Sequence, residues 1–345
     1  MTKLQSTGLF YISCAFTLGV ALTVLFTTLK ESPRPLSQSS SAPSPSAVTV
    51  DSLIFNEIPT ALSWKWQKPA STCNPTDSPR YNRFTQNKYV DAVLARQIGG
   101  WMSPSQAILA LLLSRHQHDA GICGAVVEIG VHHGLYFTAI MQSVVGAEKA
   151  MAIDVFEDQH LNLDRSGSGS YKIFTDTLTT HSIRVSDVDI VKSSSLNIKA
   201  PKVVSSVGGV RFFSVDGGHD AMVAYNDLVI AGNSLVDGGI ISVDDWYNPN
   251  IWAGVTEGVF RYMSAQQLLP GVLPPLIPFL HIENKLLLTT PGYHQMYLNF
   301  LKENPFVQRL TSQLYTAPVL DNWEYFHIAA NSSVMTQTWR EVVNS

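Results

Sequence analysis

The chain has 345 residues, 45% of them hydrophobic and only 14% charged, which is enough apolar material for a full core. Its formal net charge is −4 and it has no long basic run, which excludes a nucleic-acid backbone as a natural partner. The three cysteines, Cys14, Cys73 and Cys123, lack CxxC spacing, which argues against a zinc or thioredoxin-like site; Cys73 and Cys123 are either a disulfide of an oxidising compartment or two separate thiols.

In chain order, residues 8–29 (GLFYISCAFTLGVALTVLFTTL) form 22 positions without a charge, long enough to cross a bilayer as a helix. That length favours an uncleaved signal-anchor over a signal peptide, whose apolar core is shorter, with cleavage among residues 39–47 as the alternative. Residues 32–48 are rich in Ser and Pro and read as an extended stalk. The expected layout is an N-terminal anchor over 1–31, a stalk over 32–50, an extension or lid over 51–102 and a catalytic domain over 103–345. Lys3 before the span and Lys30 and Arg34 after it nearly balance, so orientation rests on the preference for a lumenal (Golgi or ER) domain.

Ser103-Pro104 pairs an N-cap residue with a first-turn proline and predicts a helix carrying Ile108, Leu111, Leu112 and His116. Short apolar runs at 125–129, 151–155, 188–191, 210–215 and 240–243 predict strands, with helices over 135–145, 171–181, 222–235 and 253–267 between or after them. Residues 278–290 predict a strand or hairpin, and 324–329 an edge strand. The alternation of strand and helix predicts an α/β fold with a parallel sheet.

Acids end these strands. Asp154 closes the second, Asp216 the fourth, and Asp244-Asp245 the fifth. In open parallel sheets ligands bind beyond those ends, and aligned carboxylates there hold a hard cation or orient a substrate. The first strand leads into Glu128-x-Gly130-x-x-x-Gly134, which is not the GxGxxG of a nicotinamide or flavin site. An acid before that turn would repel a pyrophosphate and suits a cofactor that carries a cation there. His219, three residues after Asp216, is a candidate general base or further metal ligand. Asp220 reads as a first-turn helix acid and Asp227 as a solvated one.

This ordered set resembles the class I S-adenosylmethionine (SAM) dependent methyltransferases, and within them the catechol and macrocin O-methyltransferase-like group. The likeness is carried by VDGGH at 215–219, LVDGGIISVDDW at 235–246 and the run Asn284-Lys285-Leu286. It implies a Rossmann-like doubly wound sheet of seven strands, mostly parallel with a C-terminal antiparallel strand. It also implies that Glu128, Gly130 and Gly134 face the methionine moiety of SAM, that Asp154 binds the ribose, and that Asp216, Asp244 and Asp245 hold a divalent cation such as Mg²⁺. The chemistry implied is methyl transfer to a hydroxyl of a small molecule or glycan, with Asp216 and His219 as catalytic residues. Apart from the resemblance, residues 305–345 supply either the edge strand at 324–329 or a homodimer contact.

Two rival readings remain at this level. The anchor and stalk also suit a lumenal glycosyltransferase, for which Asp187-Val188-Asp189 would be the metal-binding triplet, although it opens a strand rather than closing one. A non-catalytic SAM-fold binding module is the other.

Overall fold

A computed structural model describes residues 64–73, 77–248, 251–317 and 323–329. The expected anchor and stalk lie outside the described residues, and among these no helix is long and apolar enough to cross a membrane.

The chain runs α1 (Arg83–Leu94), α2 (Pro104–Asp119), β1 (Ala125–Ile129), α3 (Leu135–Met141), β2 (Ala150–Asp154), α4 (Tyr171–Thr180), β3 (Val188–Lys192), α5 (Ala200–Val207), β4 (Val210–Val215), α6 (Ala221–Ser234), β5 (Leu235–Val243) and α7 (Ala253–Leu268). There follow β6 (Ile277–Ile282), β7 (Lys285–Thr289), α8 (His294–Glu303), α9 (Pro305–Gln308), β8 (Thr311–Ala317) and β9 (Trp323–Ala329). One sheet takes them in the order β3-β2-β1-β4-β5-β7-β6-β9-β8. Strands β1 to β5 are mutually parallel, and β7 enters antiparallel between β5 and β6. The order reverses at β1 and β4, where a doubly wound sheet opens its ligand crevice.

The sheet corrects three expectations. Among the described residues it has nine strands rather than seven, because β9 adds parallel to β6 and β8 closes the sheet antiparallel to β9. The run at 324–329 is therefore an inner strand, and β8 is the edge. Strand β5 begins at Leu235 instead of Ile240: Val210 pairs with Leu235 but Phe212 with Ile240, so Asp237-Gly238-Gly239 is a bulge within the strand and not a turn before it. Gly238 has φ +79°, and a Cβ there would meet Ile122 and Tyr293 at 2.8 and 3.0 Å.

Alternation along the strands feeds two cores. Val126 and Phe212 pack with α1, α2, α3 and α8 on one face, while Val127 and Phe213 pack with α5, α6 and α7 on the other. Helix α2 starts where predicted, and Gln106 Oε1 accepts from the Ser103 amide at 3.1 Å. The described part of the extension, including α1, packs against α2 and α3 within the same body. Cys73 and Cys123 are joined as a disulfide, with Cα atoms 5.5 Å apart.

Candidate active site

Backbone ladders continue one step past the strands and bring the ends of five strands, β1 to β5, to one edge. The Asp216 amide donates to the Ile129 carbonyl at 2.9 Å, and the Asp244 amide to the Val215 carbonyl at 2.9 Å. The Gly130 amide donates to Ile153 at 2.8 Å, and the Ser193 amide to Asp154 at 3.0 Å. Above that edge lies a cavity of about 540 Å³, whose walls include Glu128, Gly130, Asp154, Asp216, His219, Asp244 and Asp245.

On the β1–β2 side, Gly130 has φ +85°, and a Cβ there would lie 1.7 Å from the Asp216 carbonyl oxygen. No side chain fits, so the turn must be glycine. Glu128 is buried; its Oε1 accepts from Ser214 at 2.8 Å, while Oε2 has no protein partner. Burial pushes its carboxyl up to about 8 against the pull of Lys285 and Ser214. Asp154 accepts from the His132 amide at 2.8 Å and the Phe156 amide at 2.6 Å, and burial raises its pKa in spite of both bonds. Gly134 is placed differently: it caps α3 with φ +86° and faces the Phe174 ring, not the cavity.

On the β4–β5 side the acids separate into two groups. Asp244 binds Lys285 Nζ at 2.8 Å, with both side chains buried, and Nζ lies 4.4 Å from the centre of the Tyr136 ring. Burial, then the charge of Asp244, drives the Asp216 pKa well up. Burial opposes the charge on Lys285, yet Asp244 and Asp216 hold its pKa above the ordinary lysine value.

Asp245 instead meets His219, whose Nε2 lies 3.1 Å from Oδ2, while Asn248 and Asn284 donate to Oδ1 at 3.2 and 3.1 Å. Burial acts to raise the Asp245 pKa, but those bonds hold it below the ordinary value. The other ring nitrogen of His219, Nδ1, lies 2.8 Å from Asp164. Burial works against a charged ring, but the bonds to Asp245 and Asp164 outweigh it and raise the His219 pKa. Trp252 stacks on the imidazole, with ring centres 4.0 Å apart. Ligand atoms of Asp216, His219 and Asp245 lie within 4.8 Å of one another.

Asp164 was not legible as a site residue. It sits in a polar loop, and only the fold brings it to His219, 55 positions away. Lys285 and Asn284 belong to a run that carries the resemblance, but their ties to Asp244 and Asp245 depend on the β6–β7 hairpin lying beside β5. Asp227 corrects the sequence expectation: it is fully buried under Gly217, and burial pushes its carboxyl up to about 7. Asp220 is the N-cap of α6 and accepts from the Met222 amide. Asp187 and Asp189 lie at the start of β3, at the opposite edge from the cavity, and Asp187 pairs with Arg80 and Arg184.

The sheet order, the glycine turn with its buried acid and the carboxylates beyond β2, β4 and β5 define a class I, SAM-dependent methyltransferase fold. Residues 127–246 match a family model described as "Methyltransferase domain", so this stretch of the chain is a methyltransferase domain. No curated protein sequence matches. Among solved structures, the O-methyltransferase NovP is 10% identical, with 60% of this chain and 98% of that chain covered and a TM-score of 0.49. An O-methyltransferase from Bacillus cereus, in complex with SAH, is 11% identical over 61% of this chain and 91% of that chain, with a TM-score of 0.41. TomG, an O-methyltransferase from Streptomyces achromogenes in complex with SAM, is 15% identical over 61% and 91%, with a TM-score of 0.40.

Proposed function

We propose that the chain transfers the methyl group of SAM to a hydroxyl oxygen of a small molecule or sugar, assisted by a divalent cation, Mg²⁺ by preference. One observation carries this reading: a single cavity joins a buried acid with a free oxygen, Glu128, to a carboxylate–imidazole cluster at Asp216, His219 and Asp245. The unpartnered Oε2 of Glu128 suits the ammonium of the SAM methionine moiety, and the Gly130 turn lets backbone approach it. Asp154 suits the ribose hydroxyls. Carboxylate oxygens and an imidazole nitrogen suit a hard or borderline cation. We assign the ligands to Asp216, Asp245 and His219 rather than to Asp244, which is tied to Lys285.

When bound, SAM supplies an activated methyl and the cation a Lewis acid beside the acceptor oxygens. The chain itself must orient the acceptor for in-line attack and take its proton. His219 faces carboxylates through both nitrogens, which favours a proton on each and raises its pKa; Nε2 must be without its proton to accept one from the acceptor or to bind a cation. Trp252, stacked on that ring, offers a flat wall for a sugar or phenol face. The Cys73–Cys123 disulfide supports an oxidising compartment, in keeping with a lumenal domain behind an anchor at residues 8–29.

The test is turnover of labelled SAM by the full chain on a panel of catechols and sugars, with and without Mg²⁺. Asp216→Ala should abolish Mg²⁺-dependent turnover and leave S-adenosylhomocysteine affinity within about threefold. Turnover indifferent to Mg²⁺ and to chelator would remove the cation from the reading. Tight cofactor binding with no acceptor methylated would favour the binding-module alternative.

A further inference from the structure

Asp164 reaches His219 twice. Its Oδ2 accepts from the His219 backbone amide at 2.5 Å and faces ring Nδ1 at 2.8 Å. The carboxylate is itself fixed, because Oδ1 accepts from the Ser166 amide at 2.8 Å, and Asn162 ties the same loop together through Gln159 and the Ser166 carbonyl. Trp252 lies flat on the imidazole. The ring is thus held in its plane by Trp252 and about its axis by Asp164, and Nε2 points to Asp245.

We infer that Asp164 is the positioning residue that turns Nδ1–H of His219 into the protein and presents Nε2 to a divalent cation at Asp216 and Asp245. The inference rests on the cation reading given above. A histidine that ligates through one nitrogen needs the other held by an acceptor, and a carboxylate does this most firmly because it fixes both tautomer and ring angle. Asp164 lies on the loop between β2 and α4, and the same loop carries Gly169, where an added Cβ would lie 2.9 Å from Asp154 Oδ1 on the cofactor side. One loop therefore spans both halves of the cavity, and its acid serves the half away from SAM.

The experiment uses the full chain and Mn²⁺ as the probe, read by the paramagnetic resonance signal of free Mn²⁺, with S-adenosylhomocysteine affinity measured in parallel by calorimetry. Asp164→Ala should weaken Mn²⁺ binding by about 10–100-fold and Asp164→Asn by less, while S-adenosylhomocysteine affinity stays within about threefold. A change in Mn²⁺ affinity of under twofold in Asp164→Ala, with binding lost in Asp216→Ala, overturns the inference and spares the cation reading. Parallel loss of Mn²⁺ and S-adenosylhomocysteine affinity in both Asp164 variants would make Asp164 a loop-structural residue and also overturn it. If Asp216→Ala leaves Mn²⁺ affinity unchanged, the cation reading falls and this inference falls with it.

Discussion

Lys285 and Asp244 form an ion pair at 2.8 Å with side-chain exposures of 1% and 7%, so neither charge has water to fall back on. A buried pair of this kind contributes little over an apolar pair of the same shape, but removing one partner strands the other. Lys285→Met should destabilise the domain by about 3–5 kcal/mol, since it leaves the buried Asp244 facing the half-buried Asp216 without a counter-ion. The double variant Lys285→Met/Asp244→Asn should recover a good part of that loss. Urea denaturation of the two singles and the double closes the cycle; additive losses would mean that the pair is not coupled.

Gly130 is required by contact as well as by conformation. Gly130→Ala would put a methyl 1.7 Å from the Asp216 carbonyl oxygen, which is backbone held in the β1–β4 ladder and has nowhere to move. A loss of roughly 4 kcal/mol or more is expected, together with loss of S-adenosylhomocysteine binding. Gly134→Ala meets only the edge of the Phe174 ring at 2.9 Å and should cost about 1–3 kcal/mol, mostly through its positive φ. At Gly292 nothing lies within 4 Å, so Gly292→Ala should stay within about 0.5 kcal/mol. Thermal melts that ranked the three in another order would contradict this account.

Strand β4 matches the apolar run read from the sequence residue for residue, because a six-residue stretch buried on both faces needs no partner to announce itself. The acids beyond β2, β4 and β5 were readable for the same reason: each follows directly on such a run. The β5 bulge was not readable, since Asp237-Gly238-Gly239 has the composition of a turn and only pairing with β4 and β7 makes it strand. Nor was the division of labour between Asp244 and Asp245. Adjacent residues leave a strand end in opposite directions, and Asp245, at φ +50°, turns towards His219 while Asp244 turns to Lys285. Which acid meets which cation depends on hairpin β6–β7, which sequence periodicity does not place.

Cys73 and Cys123 close a loop of 50 positions. Cross-linking a loop of that length should contribute roughly 2–4 kcal/mol, chiefly by restricting the unfolded chain. Cys73→Ser should lower stability by that amount under non-reducing conditions and make no difference in excess dithiothreitol. The bridge ties residues before α1 to the start of β1, away from the cavity, so S-adenosylhomocysteine affinity should not change in the folded variant. Equal melting of wild type and variant without reductant would mean that the two thiols are not joined in solution.

Glu128 makes the stability of the ligand-free domain fall as pH rises. Burial raises its folded-state pKa to about 8, whereas in the unfolded chain it titrates near the ordinary value of 4.5. Between those values the folded chain keeps a proton that the unfolded chain has released, so unfolding is favoured progressively from about pH 4.5 up to about pH 8, and the loss is complete above that. Glu128→Gln is neutral at every pH and keeps the bond to Ser214, so its melting temperature should fall less than that of wild type between pH 6.5 and 8.5. Asp227 is also raised and stays in both proteins, while Asp216 is raised in part by the Glu128 charge, so the difference between the two pH profiles reports residue 128 together with its effect on Asp216. A bound ammonium would favour the ionised carboxylate instead. Saturating S-adenosylhomocysteine, which retains that ammonium, should therefore stabilise wild type more at pH 8.5 than at pH 6.5, and Glu128→Gln should bind it roughly 10-fold or more weakly. A wild-type profile parallel to that of Glu128→Gln would show that the carboxyl is already ionised in the free chain.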